Sequence, residues 1–326
     1  MEETTCIFCK IPSDHVVIEE NGYKGKQCPQ CGLIYISPRP SWEDIENLYG
    51  HDHAHVSAES HISNAYPKRL HARHHLRILR SFAKVGDLLE IGAGAGYFLD
   101  EARTLGFSPY GLEFNPIQAS FIRSALNIPC EQSALNTSIF AGRKFDVVYH
   151  CDVISHFFDP ISEFRKTNAV MRERSYLVFE TGNFGEVDPI HFKHIPRFQY
   201  PDHLFFFNTD NLIRLLDETG FEFFRLYRYS IVPELLTLRI LSGARELARS
   251  PAGKSEGGPV PPSDERPLNE LPAALPDSVN SPSAFRKCIR NASSYFNYVL
   301  RYKIGRIAPK PGRPQTMIVI AKKKSG

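Results

Sequence analysis

The sequence predicts an α/β fold with a doubly wound, largely parallel sheet. Three observations carry this. From residue 87 onwards, short apolar strands alternate with helical stretches, the pattern of consecutive βαβ units. The first strand runs directly into a glycine turn and a helix: Leu88-Leu89-Glu90-Ile91-Gly92-Ala93-Gly94-Ala95-Gly96-Tyr97-Phe98-Leu99. The second strand, Tyr110-Gly111-Leu112-Glu113, ends in an acid, where such a fold places the carboxylate that binds ribose hydroxyls.

Glycine has no Cβ, so the turn can bend sharply and a ligand can lie on its backbone. The helix that follows points its first N–H groups at that ligand. A P-loop ending in Gly-Lys-Ser/Thr is absent, and Tyr97 occupies the place of the last glycine of a dinucleotide-binding G-x-G-x-x-G. The plain alternative is an ordinary glycine-rich turn. The pattern that remains, E-x-G-x-G-x-G, resembles motif I of the class I S-adenosylmethionine-dependent methyltransferases. The resemblance implies a Rossmann-like seven-stranded sheet with an antiparallel last pair. It also implies cofactor contacts from Glu90, Gly92, Gly94, Gly96, Glu113, Phe114 and His150, with Ser133 and Ala134 beside the adenine ring.

The chain has 326 residues, 42 % hydrophobic and 23 % charged. Its apolar runs fall short of the ~18 residues that a membrane helix needs. Met1-Glu2-Glu3-Thr4-Thr5 has neither a basic nor an apolar leader region, so no signal peptide is expected. Four of the seven cysteines stand at CxxC spacing, which suits a reducing cytoplasm and a metal site better than a disulfide framework. The net charge of +3 hides an asymmetry: residues 286–326 hold eleven Lys/Arg and no acid, so the rest of the chain is acidic.

The first 40 residues carry Cys6-Ile-Phe-Cys9, eighteen intervening residues, then Cys28-Pro-Gln-Cys31. Cys6, Cys9, Cys28 and Cys31 on two tight turns form the tetrahedral thiolate set of a closed, structural Zn²⁺ site. Strands are expected at 16–18 and 33–36, giving a zinc ribbon; four free cysteines are the alternative. After Ser37-Pro38-Arg39-Pro40, Ser41 with Asp44 three residues on reads as a helix start. Residues 51–75 contain seven histidines. Their spacings match no metal-ligand set, and His71, His74 and His75 fall on an expected helix over 66–82. In the resembled family this region covers the methionine end of the cofactor, where Arg69 or Arg73 could face its carboxylate.

Further strands are expected at 128–131, 145–150, 175–180 and 221–230. The seventh is expected at 316–321, separated from the sixth by an insertion. Within that insertion, residues 251–283 are crowded with Pro, Gly and Ser and read as a linker. Residues 285–304 read as a basic aromatic helix, which either packs on the body or meets an anionic membrane or phosphate. The organisation expected is a ribbon over 1–40, a helical connector over 41–82, a methyltransferase domain over 83–232 with 313–326, and an insertion over 233–312.

Acceptor chemistry belongs beyond the carboxyl ends of strands four and five. After strand four comes Cys151-Asp152-Val153-Ile154-Ser155-His156-Phe157-Phe158-Asp159-Pro160, similar to the segment of small-molecule methyltransferases that carries a His before a -DP- turn. The long loop after strand five holds Asn183, His191, His194, Tyr200, Asp202 and His203. Tyr200-Pro201-Asp202-His203-Leu204-Phe205-Phe206-Phe207 resembles the Y-x-E-H-L-x-Y-F segment of zinc-ribbon methyltransferases that modify nucleotide-linked sugars. That resemblance implies His203 as general base with Asp202 and Tyr200 beside it; a capping or packing role for His203 is the alternative. The large C-terminal domain of sugar C-methyltransferases is replaced here by the linker and basic helix. The expected activity is therefore methyl transfer from S-adenosylmethionine to a small-molecule, sugar or glycolipid-type acceptor, at O, N or C. An RNA methyltransferase and an inactive binding module are the other readings, with nucleic acid less favoured because the body is acidic and no RNA-binding fold is recognisable.

Overall fold

The computed structural model describes residues 1–50, 57–135, 138–195, 198, 203–233, 284–307 and 309–325. The expected linker at 251–283, three of the histidines (His51, His53, His55) and two candidate site residues, Tyr200 and Asp202, lie outside the described residues.

Strands β1 (Val16–Glu20), β2 (Tyr23–Gln27) and β3 (Ile34–Ile36) form the N-terminal sheet, with Cys6/Cys9 and Cys28/Cys31 on the turns beside it. Helices α1 (Trp42–Gly50), α2 (Ala58–Ser63) and α3 (Ala65–Leu79) follow. The Ser41 hydroxyl accepts from Asp44 N–H, and Asp44 Oδ2 accepts in return from Ser41 N–H at 3.0 Å, the reciprocal cap that the sequence predicts.

The large sheet is built from β4 (Asp87–Ile91), β5 (Ser108–Leu112), β6 (Cys130–Glu131), β7 (Phe145–Cys151), β8 (Met171–Gly182), β10 (Phe221–Tyr229) and β11 (Thr316–Lys323). Its order is β10-β11-β8-β7-β4-β5-β6. The five strands from β8 to β6 are parallel, and β11 runs antiparallel between β10 and β8. Helices α4 (Tyr97–Thr104), α5 (Pro116–Ser124), α6 (Pro160–Ala169) and α7 (Thr209–Glu218) connect the strands. Helix α8 (Ala284–Val299) runs into a π-helical turn, Leu300–Ile304. This is the expected seven-stranded sheet with its late antiparallel partner. The third strand is shorter than expected because Pro129 has no N–H to give to a ladder. The fifth is longer, because β11 pairs with it out to Gly182.

The N-terminal sheet takes one strand from outside the first 40 residues. Strand β9 (Phe205–Phe206), from the loop after β8, pairs antiparallel with β3 and becomes the fourth strand of the N-terminal sheet. One apolar core runs continuously from Cys6, Phe8, Leu33 and Ile34 through Phe205–Phe207 to Phe179 and Phe221 on one face of the large sheet. A second core covers the other face, where α3, α4 and Tyr298 and Tyr302 pack on Leu88, Val147 and Val178. Among the described residues, no helix is long and apolar enough to cross a membrane.

Candidate functional site

A cavity of about 850 Å³ opens at the carboxyl ends of β4, β5, β7 and β8. Its first wall is the glycine turn. Gly92, Gly94 and Gly96 all have positive φ (69°, 54° and 70°), which glycine adopts without penalty. A Cβ on Gly92 would come within 2.7 Å of Val153 and one on Gly96 within 2.6 Å of Ile122, so both are close-packing glycines. Gly94 is different: its side faces the cavity, with only His61 Nδ1 at 3.7 Å.

Glu113 stands at the end of β5 and braces the turn. Its Oε2 accepts from Gly94 N–H at 2.6 Å and its Oε1 from Asn115 N–H at 2.8 Å. A carboxylate has about four lone-pair sites. Backbone N–H groups of Gly94, Asn115 and Phe114 act on this carboxylate, which leaves capacity for a further donor. Burial raises its pKa to about 6, against the backbone donors that favour the anion. Glu90, on β4, is 4 % exposed and lines the same floor. Its Oε2 has no hydrogen-bond partner among the described residues. Burial, reinforced by Glu113, pushes its pKa well above the ordinary carboxylate range. Phe114, Ser133 and Ala134 line the cavity. Trp42 meets Phe114 and Phe158 edge-on, with centroids at 6.2 and 5.8 Å.

Three expectations need correction. His150 does not line the cavity: its ring is stacked on Phe179 at 4.8 Å, 1 % exposed, and burial depresses its pKa to about 3. Strand β7 alternates its side chains, so its penultimate residue faces the core while Tyr149 and Cys151 face the cavity. Arg69 and Arg73 are not directed at the cofactor end either. Arg69 is paired with Asp100 and Glu101, and Arg73 with Glu101, which fastens α3 to α4. The basic group that α3 sends into the cavity is Lys68, with Nζ 2.9 Å from His61 Nδ1. Burial lowers the Lys68 pKa, while Cys151, Glu90, Asp152 and Glu113 favour its cation. Finally, Asn183 is a structural clamp: its Nδ2 donates to Arg313 O at 3.0 Å and its Oδ1 accepts from Gln315 N–H at 2.6 Å. His191 is not among the cavity-lining residues, and the side chain of His194 lies outside those described.

The same cavity is lined by His156, His203, Asp152, Thr181 and Glu180. His203 Nδ1 lies 2.9 Å from Phe198 O. A carbonyl only accepts, so Nδ1 carries the proton and Nε2 is the basic nitrogen of the neutral ring. The His203 ring sits against that of His156, centroids 4.5 Å apart. Asp152, with φ of 53°, turns out of the strand end. Burial and the neighbouring Glu180 raise its pKa to about 7. Glu180 is 2 % exposed, and its Oε2 accepts from His75 Nε2 at 2.8 Å and from Tyr302 O–H at 2.9 Å. Burial opposes its ionisation, but the His75 imidazole and Arg301 hold its pKa at about 2. Lys68, Asp152, Glu180 and Tyr302 are absent from the sequence expectation. Asp152 and Glu180 follow the same strand-end rule that identifies Glu113. Tyr302 could not be found that way, because it arrives from beyond the insertion.

The methyltransferase domain family matches residues 63–225, half of the chain. The chain belongs to the methyltransferase domain family. The glycine turn, the braced Glu113 and the unsatisfied Glu90 oxygen lie within the matched segment. Comparison with curated proteins gave no match. Among solved structures, the methyltransferase is similar to a SAM-dependent methyltransferase from Archaeoglobus fulgidus (16 % identity, TM-score 0.46, 87 % of this chain and 100 % of that one). It is also similar to Haemonchus contortus phosphoethanolamine N-methyltransferase 2 in complex with S-adenosyl-L-methionine (12 % identity, TM-score 0.47, 90 % and 62 %).

Proposed function

We propose that this enzyme methylates a small-molecule, sugar or glycolipid-type acceptor held in the same cavity, with His203 as general base. The observation that carries the reading is that His203 shares one cavity with the Glu113-braced glycine turn. Bound S-adenosylmethionine supplies an electrophilic methyl carbon on a sulfonium.

The residues of this chain divide the remaining work. Glu113 accepts the ribose hydroxyls, the Gly94 face supports the methionine moiety, and Phe114, Ser133 and Ala134 enclose the adenine. Lys68 neutralises the methionine carboxylate, and Glu90 takes the amino group on its unsatisfied oxygen. The acceptor's proton leaves to His203 Nε2, whose orientation the Phe198 carbonyl fixes. The aromatic walls at Phe157, Phe184 and Phe205 exclude water from the displacement.

The four cysteines are proposed to hold a structural Zn²⁺. Their sulfurs all lie within 4.8 Å of one another. A tetrahedral zinc with Zn–S of about 2.3 Å needs sulfurs ~3.8 Å apart. A set of four thiols leaves no position for a reacting water, so the role is architectural.

The test is methyl incorporation from labelled S-adenosylmethionine across sugar, glycolipid and amine acceptors. With the acceptor found, His203→Asn should lose roughly 10²–10⁴-fold in kcat while still binding S-adenosylhomocysteine. Turnover unaffected by His203→Asn would overturn the assignment of the base.

A further inference from the structure

Helix α8 carries apolar residues on two opposite faces. Tyr298, at 7 % exposure, and Tyr302, at 2 %, form the inner face. Tyr302 stacks on His74 at 4.0 Å, and Arg77 donates to the Tyr298 hydroxyl at 3.4 Å, so this face is docked on α3. At 100° per residue, Ile289 and Phe296 stand about 180–200° around the helix from Tyr298, and seven residues apart they share one stripe. They are 55 % and 60 % exposed. Ile307, in the turn that follows, is 80 % exposed. None of these three is in either apolar core of the described residues.

The charge carried by this segment itself has one sign, although exposed Asp188 lies against Gly312 at its far end. Lys287, Arg290, Lys303, Arg306, Lys310 and Arg313 are all exposed. No Asp or Glu occurs from residue 286 to the end of the sequence. Exposed apolar side chains among cations, with no acid in the same segment, fit a surface that is negative outside and apolar beneath. A second protein copy fits less well, because two such faces would repel. A nucleic acid would use the cations and leave Ile289, Phe296 and Ile307 in water.

The surface is also continuous with the cavity rim. Arg301 lines the cavity while its neighbours Lys303 and Ile304 face out. Pro314, Gln315 and Thr316 line it on the other side, directly after exposed Arg313. Val232, just before the insertion, lines it as well. The insertion thus leaves from and returns to the wall of the cavity.

We propose that the outer face of α8 and the turn after it dock on an anionic lipid bilayer and bring the rim of the cavity to that surface. The docking itself does not rest on the identity of the base or the acceptor. Each exposed cation then contributes about fivefold to partitioning, and the apolar stripe makes binding only partly sensitive to salt.

The experiment is co-sedimentation of the full chain with vesicles of phosphatidylcholine alone or mixed with phosphatidylglycerol. The expected result is binding to the mixed vesicles only. It should fall about fivefold per cation in Lys303→Gln and Arg306→Gln, and be lost in the Ile289→Glu/Phe296→Glu double variant. S-adenosylhomocysteine binding, measured in parallel, stays unchanged in all variants and keeps this test separate from that of the methyltransferase site. The proposal is overturned by absence of sedimentation or by equal binding to neutral vesicles. It is equally overturned if light scattering shows a dimer that the double variant disperses, or if RNA is bound and the double variant still binds it.

Discussion

Ile34, three residues past Cys31, and Phe206, three residues past His203, are antiparallel register partners. The pairing makes the loop that carries His203 part of the cysteine-bearing sheet. Around it, Ile36 N–H donates to Leu204 O at 3.0 Å, and Leu204 N–H donates to Ser155 O at 2.7 Å, next to His156. Asn211 Nδ2 donates to Cys31 O at 3.0 Å, and Arg214 reaches Phe8 O and Cys9 Sγ. Arg39 donates to Phe158 O at 2.7 Å and lies over that ring at 3.6 Å. The N-terminal module therefore frames the part of the cavity that carries His203, while the glycine turn and Glu113 stand at the ends of β4 and β5.

Loss of the ribbon should disturb one end of the cavity and spare the other. In Cys28→Ser, or after chelation, amide exchange at Phe205 and Phe206 should accelerate while S-adenosylhomocysteine affinity holds. Unchanged exchange at these two residues would contradict a framing role for the ribbon.

Lys68 should read the amino-acid part of the cofactor. Lys68→Met is expected to weaken S-adenosylhomocysteine roughly 10- to 100-fold by loss of a charge-assisted contact. 5′-Methylthioadenosine, which lacks the amino-acid carboxylate, should bind as before. Equal losses for both ligands would mean that Lys68 supports the fold instead.

The buried cluster of Tyr302, His75, Glu180 and Tyr149 ties the C-terminal segment to the cavity. His75 Nδ1 lies 2.6 Å from the Tyr149 hydroxyl, completing the chain to Glu180. Tyr302→Phe removes one donor from a buried carboxylate and should cost about 1–3 kcal/mol in a urea titration. An unaltered midpoint would show that the segment is only draped over the site.

Each buried histidine with a lowered pKa should make this protein less stable in acid. Burial lowers the pKa of His74 and His150 from 6.5 to about 3, and that of His71 to about 4. Below pH 6.5 the unfolded chain takes up these protons and the folded chain does not, so stability is lost as pH falls from 6.5 towards 3. Glu180, lowered from 4.5 to about 2, acts in the same direction below pH 4.5. Asp152 and Glu113, raised to about 7 and 6, and Glu90, raised well above the ordinary carboxylate range, act the other way, so the histidine contribution is read from a single-residue variant and not from the net profile. His74→Gln should therefore flatten the stability–pH profile between pH 6.5 and 3, by on the order of 1.4 kcal/mol per pH unit. An identical slope in the variant would refute this.

The central sheet was legible because each step has a local signal: apolar runs for strands, glycine alternation for the turn, and an acid at a strand end. Residues 128–131 gave less, since Pro129 ends pairing that apolar character alone suggested. Glu113 could be placed from sequence because its partner Gly94 is fixed by the same motif. His150 could not be excluded, because strand periodicity assigns alternation but not which face meets the ligand. Arg69 and Arg73 share one face of their helix and Lys68 stands about 100–140° away from them; the acids Asp100 and Glu101 on the neighbouring helix hold the arginine face, which leaves Lys68 to reach the cavity. Phe205–Phe206 gave no signal at all: two residues are too few for a strand pattern, and their partner lies about 170 positions earlier.

Calorimetric titration of S-adenosylhomocysteine into wild type, Glu113→Ala and His203→Asn tests the division of the cavity most directly. The account predicts tight binding in wild type, a loss of roughly 1–3 kcal/mol in Glu113→Ala, and wild-type affinity in His203→Asn. No binding to folded wild type, or a loss in His203→Asn as large as that in Glu113→Ala, would contradict it.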